Sequence, residues 1–530
     1  MLSLFYNGFI HSLEKKQKKC DALLVQGDRI IFVGEKDDIN LPAYKLNSID
    51  LKSCHVFPGF IDCHTHIAAV ALANDRIKLD NCTSLEDAVK NIENHSNRFT
   101  SSEWILGSGW NANLWLDGSP HRDYLDRIFP NNPVALYSKD GHAQWLNSKA
   151  LQICGFTQLS KDPPGGKLGR DDNGDLTGIV YEKCCLMVDE KAEQISFDAL
   201  YRGMQILYPK LHALGITSVH SCESLDHFKL FQQLQLNNKL DLRICMHPPG
   251  DKLDILKDAG LHSSWGNDWL RLGGLKYFVD GSLGSQTAEM FENFTGLDHA
   301  GVEVISEDAL CEYLCRAASS GWGATVHAIG DKANFKALNA IEKAQFVHSP
   351  IPIRYRIEHA QILRPNDIPR FKKMNIIASM QPLHIADDIK IADLYLGKRS
   401  IYAYPINSLM KAGICVVFGS DMPIADPDPL KGINAAVSRQ YQLNKSEPAW
   451  NEQECISSEQ ALLAYTRDAA YSSYEESFKG TIGIGKLADL IVLNSDITKA
   501  NISQLSETRV EMTILDGKIV FNRENPATIS

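Results

Sequence analysis

Two histidines, His64 and His66 in FIDCHTH, are the first residues of this 530-residue sequence whose types and spacing could do chemistry. Side chains alternate along a β-strand, so positions i and i+2 present both imidazoles on one face. Two imidazoles side by side begin a site for a first-row metal such as zinc. With seventeen histidines in the chain, a His-x-His arises by chance on the order of half the time, so the pair needs context. That context is His327 in ATVHA, His359 in YRIEHA and Asp421 in VVFGSD, each closing an apolar run before a loop or helix start. Four imidazoles and a carboxylate exceed what one tetrahedral ion takes, which suits a two-metal site. Taken singly, each histidine could instead be a hydrogen-bonded core residue, and Asp421, just ahead of Pro423, a helix N-cap.

The elements that must position these groups are short β-branched runs alternating with helical patterns. They are VFPGFIDCHTH, GITSVHS, LRICMH, LGGLKYFVDG, ATVHA, YRIEHA, IIASMQP and VVFGSD. Eight strands in such an order predict an α/β chain with a closed parallel (β/α)₈ TIM barrel, whose strand ends carry the active site. The stretch from about 70 to 205, rich in Trp, Asn, Asp, Gly and Pro, breaks the alternation and reads as an insertion after the first barrel strand. Both chain ends are β-rich. LFYNGFI and DALLVQGDRIIFVGE open the chain, and LADLIVLNSD and VEMTILDGKIVFNRE close it with an Asp-Gly hairpin turn. Neither end has enough strands to stand alone, so residues 1–57 and 475–530 are expected to form one small composite β-sandwich beside a barrel over 58–474.

Composition narrows the classes. Hydrophobic residues at 44% and charged residues at 22% are near globular averages and exclude a disordered or fibrous chain. A net charge of −11 argues against a nucleic-acid partner, and the basic run Lys15–Lys19 reads as a solvated turn. No apolar stretch of spanning length and no signal-like start are visible, which predicts a cytoplasmic protein without a membrane partner. Thirteen cysteines, odd in number and without a Cys-x-x-Cys pair, read as reduced thiols. Trp110 and Trp115 in GWNANLW either wall a pocket or simply pack.

The sequence resembles the amidohydrolase superfamily, in its amidohydrolase-3 branch of YtcJ-like and N-substituted formamide deformylase-like proteins, over nearly its whole length. The resemblance rests on PGFIDCHTHI at 58–67, DGHAQWLNSKAL at 140–151, PPGGKLGRDDNGDLTGIVYE at 163–182 and LKYFVDGSLGSQTA at 275–288. It continues with VHAIGDKA at 326–333, RIEHAQ at 356–361, GSDMPI at 419–424 and GKLADLIVL at 485–493. It implies metal ligands from strands one, five, six and eight, matched by His64, His66, His327, His359 and Asp421. Lys276 in LKYFVDG falls at the fourth-strand position, where the superfamily often carries a lysine carboxylated by carbon dioxide that bridges two metals. The plainer alternative leaves Lys276 an amine paired with Asp280 or substrate. Glu182 matches a family glutamate that could bridge the metals or contact substrate, or it could equally be a salt-bridged residue of the insertion, while Asp140, His142 and His384 look like substrate contacts.

The implied enzyme hydrolyses a carbon–nitrogen bond of an amide, formamide or cyclic amide. Metal-activated hydroxide attacks the carbonyl, with Asp421 as general base and then acid toward the leaving nitrogen. Ester or lactone hydrolysis, or deamination, remains open on the same centre, as does a non-catalytic relative that keeps the fold. The expected cofactors are one or two divalent ions, zinc by default, and carbon dioxide as the Lys276 carbamate. The expected partner is a small molecule, with a homodimer left open. A metal-independent serine hydrolase is disfavoured, because no Gly-x-Ser-x-Gly occurs.

Overall fold

A computed structural model describes the chain except residues 1, 15–19, 40–45, 74–75, 97–103, 113–114, 116–117, 140, 164, 193–196, 441–447 and 526–530, and the side chain of Ala199. It divides into two compact units, residues 1–68 with 205–530, and residues 69–204.

In the first unit, eight short strands run parallel in chain order. β1 is Phe60–Thr65, β2 Ile216–Cys222 and β3 Arg243–His247. β4 comes in two pieces, Leu270–Leu272 and Leu275–Phe278. β5 is Ala324–Ala328, β6 Tyr355–His359, β7 Ile377–Met380 and β8 Val416–Phe418. β1 to the first piece of β4 form one sheet, and the second piece of β4 to β8 another. Both seams are bridged by backbone contacts. Lys276 N donates to Pro248 O at 2.8 Å, Asp421 N to His64 O at 2.7 Å and His66 N to Met422 O at 2.8 Å. Every residue of β2, β3 and β6 is buried, as parallel strands covered on both faces require.

Two glycine-dependent breaks depart from the sequence expectation. VFPGFIDCHTH reads as one strand, but it splits at Gly59: His55–Pro58 joins a terminal sheet and only Phe60–Thr65 enters the parallel row. A Cβ on Gly59 would lie 2.3 Å from Thr217 Oγ1, so the close approach requires glycine. LGGLKYFVDG likewise splits, with Gly273 pressed against the His247 ring.

The chain ends build two further sheets. One has the order Arg29–Gly34, Ala22–Gln26, Leu2–Tyr6, Asn47–Asp50. The other runs Phe9–Ile10, His55–Pro58, Leu490–Leu493, Val510–Leu515, Lys518–Asn522. Leu490–Leu493 pairs antiparallel with His55–Pro58, so the two ends share a sheet. Phe5, Leu23 and Ile30 of the first sheet form one buried cluster with Val56, Leu490 and Ile514 of the second. The Asp516-Gly517 turn has φ of 57° and 73°, the left-handed pair that a tight hairpin asks for. Buried Arg243 of β3 is held bidentate by Asp489, at 2.6 and 3.0 Å, and reaches Asp516 at 3.1 Å.

The second unit has its own six-stranded sheet, which the sequence does not announce. Its order is Gly166–Arg170, Leu176–Glu182, Ala143–Leu146, Val134–Ser138, Ile105–Trp110, Ile77–Lys78. Trp110 and Trp115 pack with Trp145 in its core, and their indole N–H groups donate to Leu136 O and Cys82 O. The packing alternative for these tryptophans therefore holds. Among the described residues, no helix is long and apolar enough to cross a membrane, and no cysteine is disulfide-bonded.

Candidate metal centre

The histidines and the aspartate singled out by spacing converge at the C-terminal ends of their strands. His64 Nε2 lies 3.5 Å and His66 Nε2 3.3 Å from Asp421 Oδ1. Ring centroids are 5.1 Å apart for His64 and His359, and 4.5 Å for His327 and His359. Ligand atoms of His64, His66 and Asp421 lie within 4.8 Å of one another, and so do those of His359, His384 and Asp421. Two potential ligand triads thus share Asp421. His384, expected as a substrate contact, stands with the ligand atoms, and among the described residues its buried Nε2 has no hydrogen-bond partner.

The outward nitrogens of these rings are occupied, which fixes the inward ones. His64 Nδ1 lies 2.5 Å from Glu358, His66 Nδ1 is 3.1 Å from Cys222 O, and His359 Nδ1 is 2.8 Å from Gln381 Oε1. His327 differs, directing Nε2 to Gly281 O at 3.0 Å. Imidazoles oriented from behind by a carboxylate or carbonyl are what metal-ligating histidines require, and the donor set of imidazoles with one carboxylate fits a divalent ion.

Glu358 and Arg356 were not foreseen. Both are buried on β6, and period two aims them to the same side. Arg356 grips Glu358 at 2.9 and 3.1 Å and reaches Cys63 O, Ser379 Oγ and His220 Nδ1. Strict alternation would point His359 away from Glu358. Instead His359 (φ 69°) and Ala360 (φ 41°) turn left-handed at the strand end, as does Asp421 (φ 59°). Each such residue costs about 1–3 kcal/mol, a strain that persists where the surroundings enforce it. The sequence signal was there: two opposite charges two apart, Arg356 and Glu358, in a strand that is buried throughout.

A second brace is Asp62, whose carboxylate accepts from Ser420 N at 2.9 Å and Ser420 Oγ at 2.5 Å and so fastens the loop bearing Asp421 to β1. A Cβ on Gly419 would meet His64 N at 2.4 Å, so only glycine lets β8 come this close.

Electrostatics suit ligation. Burial pushes His64 down, helped by the charge of Lys276. Burial and Lys276 take His327 to about 3, and burial with His327 holds His359 well below its usual range. Burial also opposes charge on His66, but its bond to Asp421 raises it overall. Burial alone would raise the Asp421 carboxyl, yet His64 and His66 hold it far below the usual carboxylate range. His64, His327 and His359 are therefore held neutral and Asp421 anionic, while Asp421 draws His66 toward its protonated form until a cation takes that place.

Lys276 is buried, with Nζ 4.8 Å from the Phe278 ring centroid. Among the described residues no carboxylate pairs with it. Asp280 instead accepts from the N–H groups of Glu289, Ile329 and Gly330 at 2.8–3.0 Å, so it is not the lysine's partner. A cavity of about 590 Å³ borders Lys276, Phe278, Tyr277 and Tyr313. In the second unit, His142 faces Glu182 at 3.2 Å with both side chains exposed. Asp140 lies outside the described residues.

Imidazoles and a shared carboxylate at the ends of parallel strands form a donor set that could hold a divalent ion. The family model for the amidohydrolase family matches residues 47–521, and the chain belongs to that family.

The chain is 33% identical to Protein LONG AFTER FAR-RED 3 of Arabidopsis thaliana, over 93% of this chain and 87% of that one. It is 30% identical to the putative amidohydrolase YtcJ of Bacillus subtilis, over 99% and 100%. Against the N-substituted formamide deformylase of Arthrobacter pascens identity is 25%, over 98% of both. A solved metal-dependent hydrolase from Pyrococcus furiosus superposes with a TM-score of 0.78 at 28% identity, covering 94% of this chain and all of that one.

Proposed function

We propose that this chain hydrolyses a carbon–nitrogen bond of an amide, formamide or cyclic amide with a divalent-metal centre, zinc by default. His64, His66, His327, His359 and Asp421 would hold the metal, and His384 stands close enough to join them. The observation that carries the reading is the pair of ligand triads sharing Asp421, backed by outward-facing hydrogen bonds on His64, His66 and His359. The relationship to a formamide deformylase supports the choice of bond.

A divalent ion held by these residues would supply a water of lowered pKa, toward about 7, and a Lewis acid for a carbonyl. The remaining steps belong to the protein. Asp421 Oδ1, anionic and facing His66, accepts the proton of the attacking water and returns it to the leaving nitrogen, which cannot depart as a free anion. Buried Lys276 would add positive charge to a metal site if it stayed an ammonium. As a carbamate it would instead supply two anionic oxygens. We read one or two ions per chain, and a small-molecule substrate whose body could occupy the cavity beside Phe278.

The same reading closes the eight parallel strands into a (β/α)₈ barrel over 58–474 and combines residues 1–57 and 475–530 into a composite β-sandwich. The shared Leu490–Leu493 strand pairing and the joint apolar cluster support it.

The test is metal analysis of protein purified without chelator, followed by a screen of N-acyl, N-formyl and cyclic amides. His64→Ala with His66→Ala should lower metal content and abolish turnover. Full occupancy and normal turnover in that double variant overturn the assignment, and turnover of esters alone overturns the choice of bond.

A further inference from the structure

Away from the strand-end cluster, three residues from both chain ends meet at one edge of a terminal sheet. His11 directly follows the strand Phe9–Ile10, and His55 begins the neighbouring strand, with Phe9 opposite His55. Asp496 follows Leu490–Leu493, whose last residue also lies opposite His55. His11 Nε2 and His55 Nδ1 face each other at 3.0 Å. One ligand atom from each of His11, His55 and Asp496 lies within 4.8 Å of the others.

We propose that His11, His55 and Asp496 form a second divalent-metal site that takes zinc or a similar first-row ion and ties the amino-terminal strands to the carboxy-terminal segment.

Three features favour ligation over a casual histidine pair. The first is spacing. Two nitrogens bound about 2.0–2.1 Å from one tetrahedral zinc stand roughly 3.3 Å apart, so a few tenths of an ångström of ring movement converts the observed 3.0 Å contact into a chelate. Two facing nitrogens at that distance cannot both carry protons, so at least one lone pair already points into the gap. The second is preorganisation. The His11 ring stacks on Phe57 at 4.4 Å and 11°, and the His55 ring on Phe9 at 4.8 Å and 21°. Little rotamer freedom is left to lose on binding.

The third is the carboxylate. Asp496 caps the short turn Ile497–Lys499, and both capping bonds, from Thr498 N at 2.9 Å and Oγ1 at 2.7 Å, fall on Oδ1. Oδ2 is left for the ion. His11 and Asp496 line a cavity of about 500 Å³ whose wall also carries Glu14, Glu459, Arg467 and Lys499, so a fourth position is open to water. Two imidazoles and a carboxylate form a donor set suited to zinc. With only three protein ligands, the site should bind more weakly than a closed four-ligand one.

The test is zinc binding by the full-length protein, compared with His11→Gln, His55→Gln and Asp496→Asn, and read by equilibrium dialysis and by anomalous diffraction at the zinc edge. These residues take no part in the proposed hydrolysis, so turnover should stay at the wild-type level while one equivalent of zinc weakens at least tenfold. An anomalous peak between His11 Nε2 and His55 Nδ1 supports the site. Absence of that peak in zinc-soaked wild-type crystals, or equal zinc stoichiometry and affinity in all variants, overturns it. Should one glutamine variant fail to fold, the wild-type diffraction decides alone.

Discussion

Glu358 stands directly behind His64, its carboxylate 2.5 Å from Nδ1, while Arg356 grips the same carboxylate from the other side. His64 is thereby fixed with Nε2 toward Asp421. Losing an outer partner of this kind lowers metal affinity by about 10–100-fold. Glu358→Gln should therefore bind the ion that many times more weakly, with turnover recovering at high metal. Metal titration followed by activity measurement checks it, and unchanged affinity would remove Glu358 from the positioning role.

Lys276→Ala should lose more, because a bridging carbamate would touch the ions themselves. Metal affinity is expected to fall beyond the roughly 10–100-fold of an outer partner, with partial rescue of turnover by formate or acetate. A carbamate carbon signal in the wild-type protein prepared with ¹³C-bicarbonate, absent from the variant, is the spectroscopic check. Wild-type turnover unaffected by stripping carbon dioxide would point to an unmodified lysine.

Acid stability carries a contribution from His212, whose Nε2 donates to Asp241 O at 2.7 Å. Burial pushes this imidazole down to about 4. As pH falls through about 6.5, the unfolded chain takes up a proton that the folded chain refuses until about pH 4, so stability is present above 6.5 and lost toward 4. The difference is worth at most about 3 kcal/mol. His212→Gln should flatten the pH dependence of unfolding across that window, as denaturant titration at pH 7, 6, 5 and 4.5 would show. Parallel curves for both proteins would rule the residue out.

The buried pair Arg243–Asp489 joins β3 to the terminal sheet. Asp489→Ala leaves a buried guanidinium with Asp268 O and only the more exposed Asp516 as a carboxylate partner, and should cost about 3–5 kcal/mol. Replacing both, with Arg243→Met and Asp489→Leu, should cost less than the single change. Chemical denaturation of the three proteins checks the order, and a double variant weaker than the single one contradicts it.

What could be read from the sequence was what depends on spacing along one strand. His64 and His66 announce a shared face by themselves, and His359 and Asp421 announce strand ends. The residues missed depend on contacts between distant strands. Glu358 matters because His64, 294 positions away, needs an orienting carboxylate. His11 and His55 meet only because Phe9–Ile10 pairs with His55–Pro58. The break at Gly59 was hidden because apolar residues continue on both sides of it, and only Thr217 on a neighbouring strand makes the glycine necessary. The sheet of residues 69–204 escaped because its strands are short and separated by turn-rich segments, so no period builds up.

The pairing of His55–Pro58 with Leu490–Leu493 also sets a timetable for biosynthesis. The first of these strands leaves the ribosome more than 400 residues ahead of the second. At about 5–20 residues per second the delay is roughly 20–90 s, against microseconds for an ordinary hairpin. Throughout it Val56 and Phe57, which later face Val492 and Ile491, form an apolar edge with unpaired backbone groups, the kind that recruits foreign strands. Nascent chains and truncations that lack Leu490–Leu493 are thus expected to be the aggregation-prone species, because that strand covers the edge His55–Pro58 leaves open.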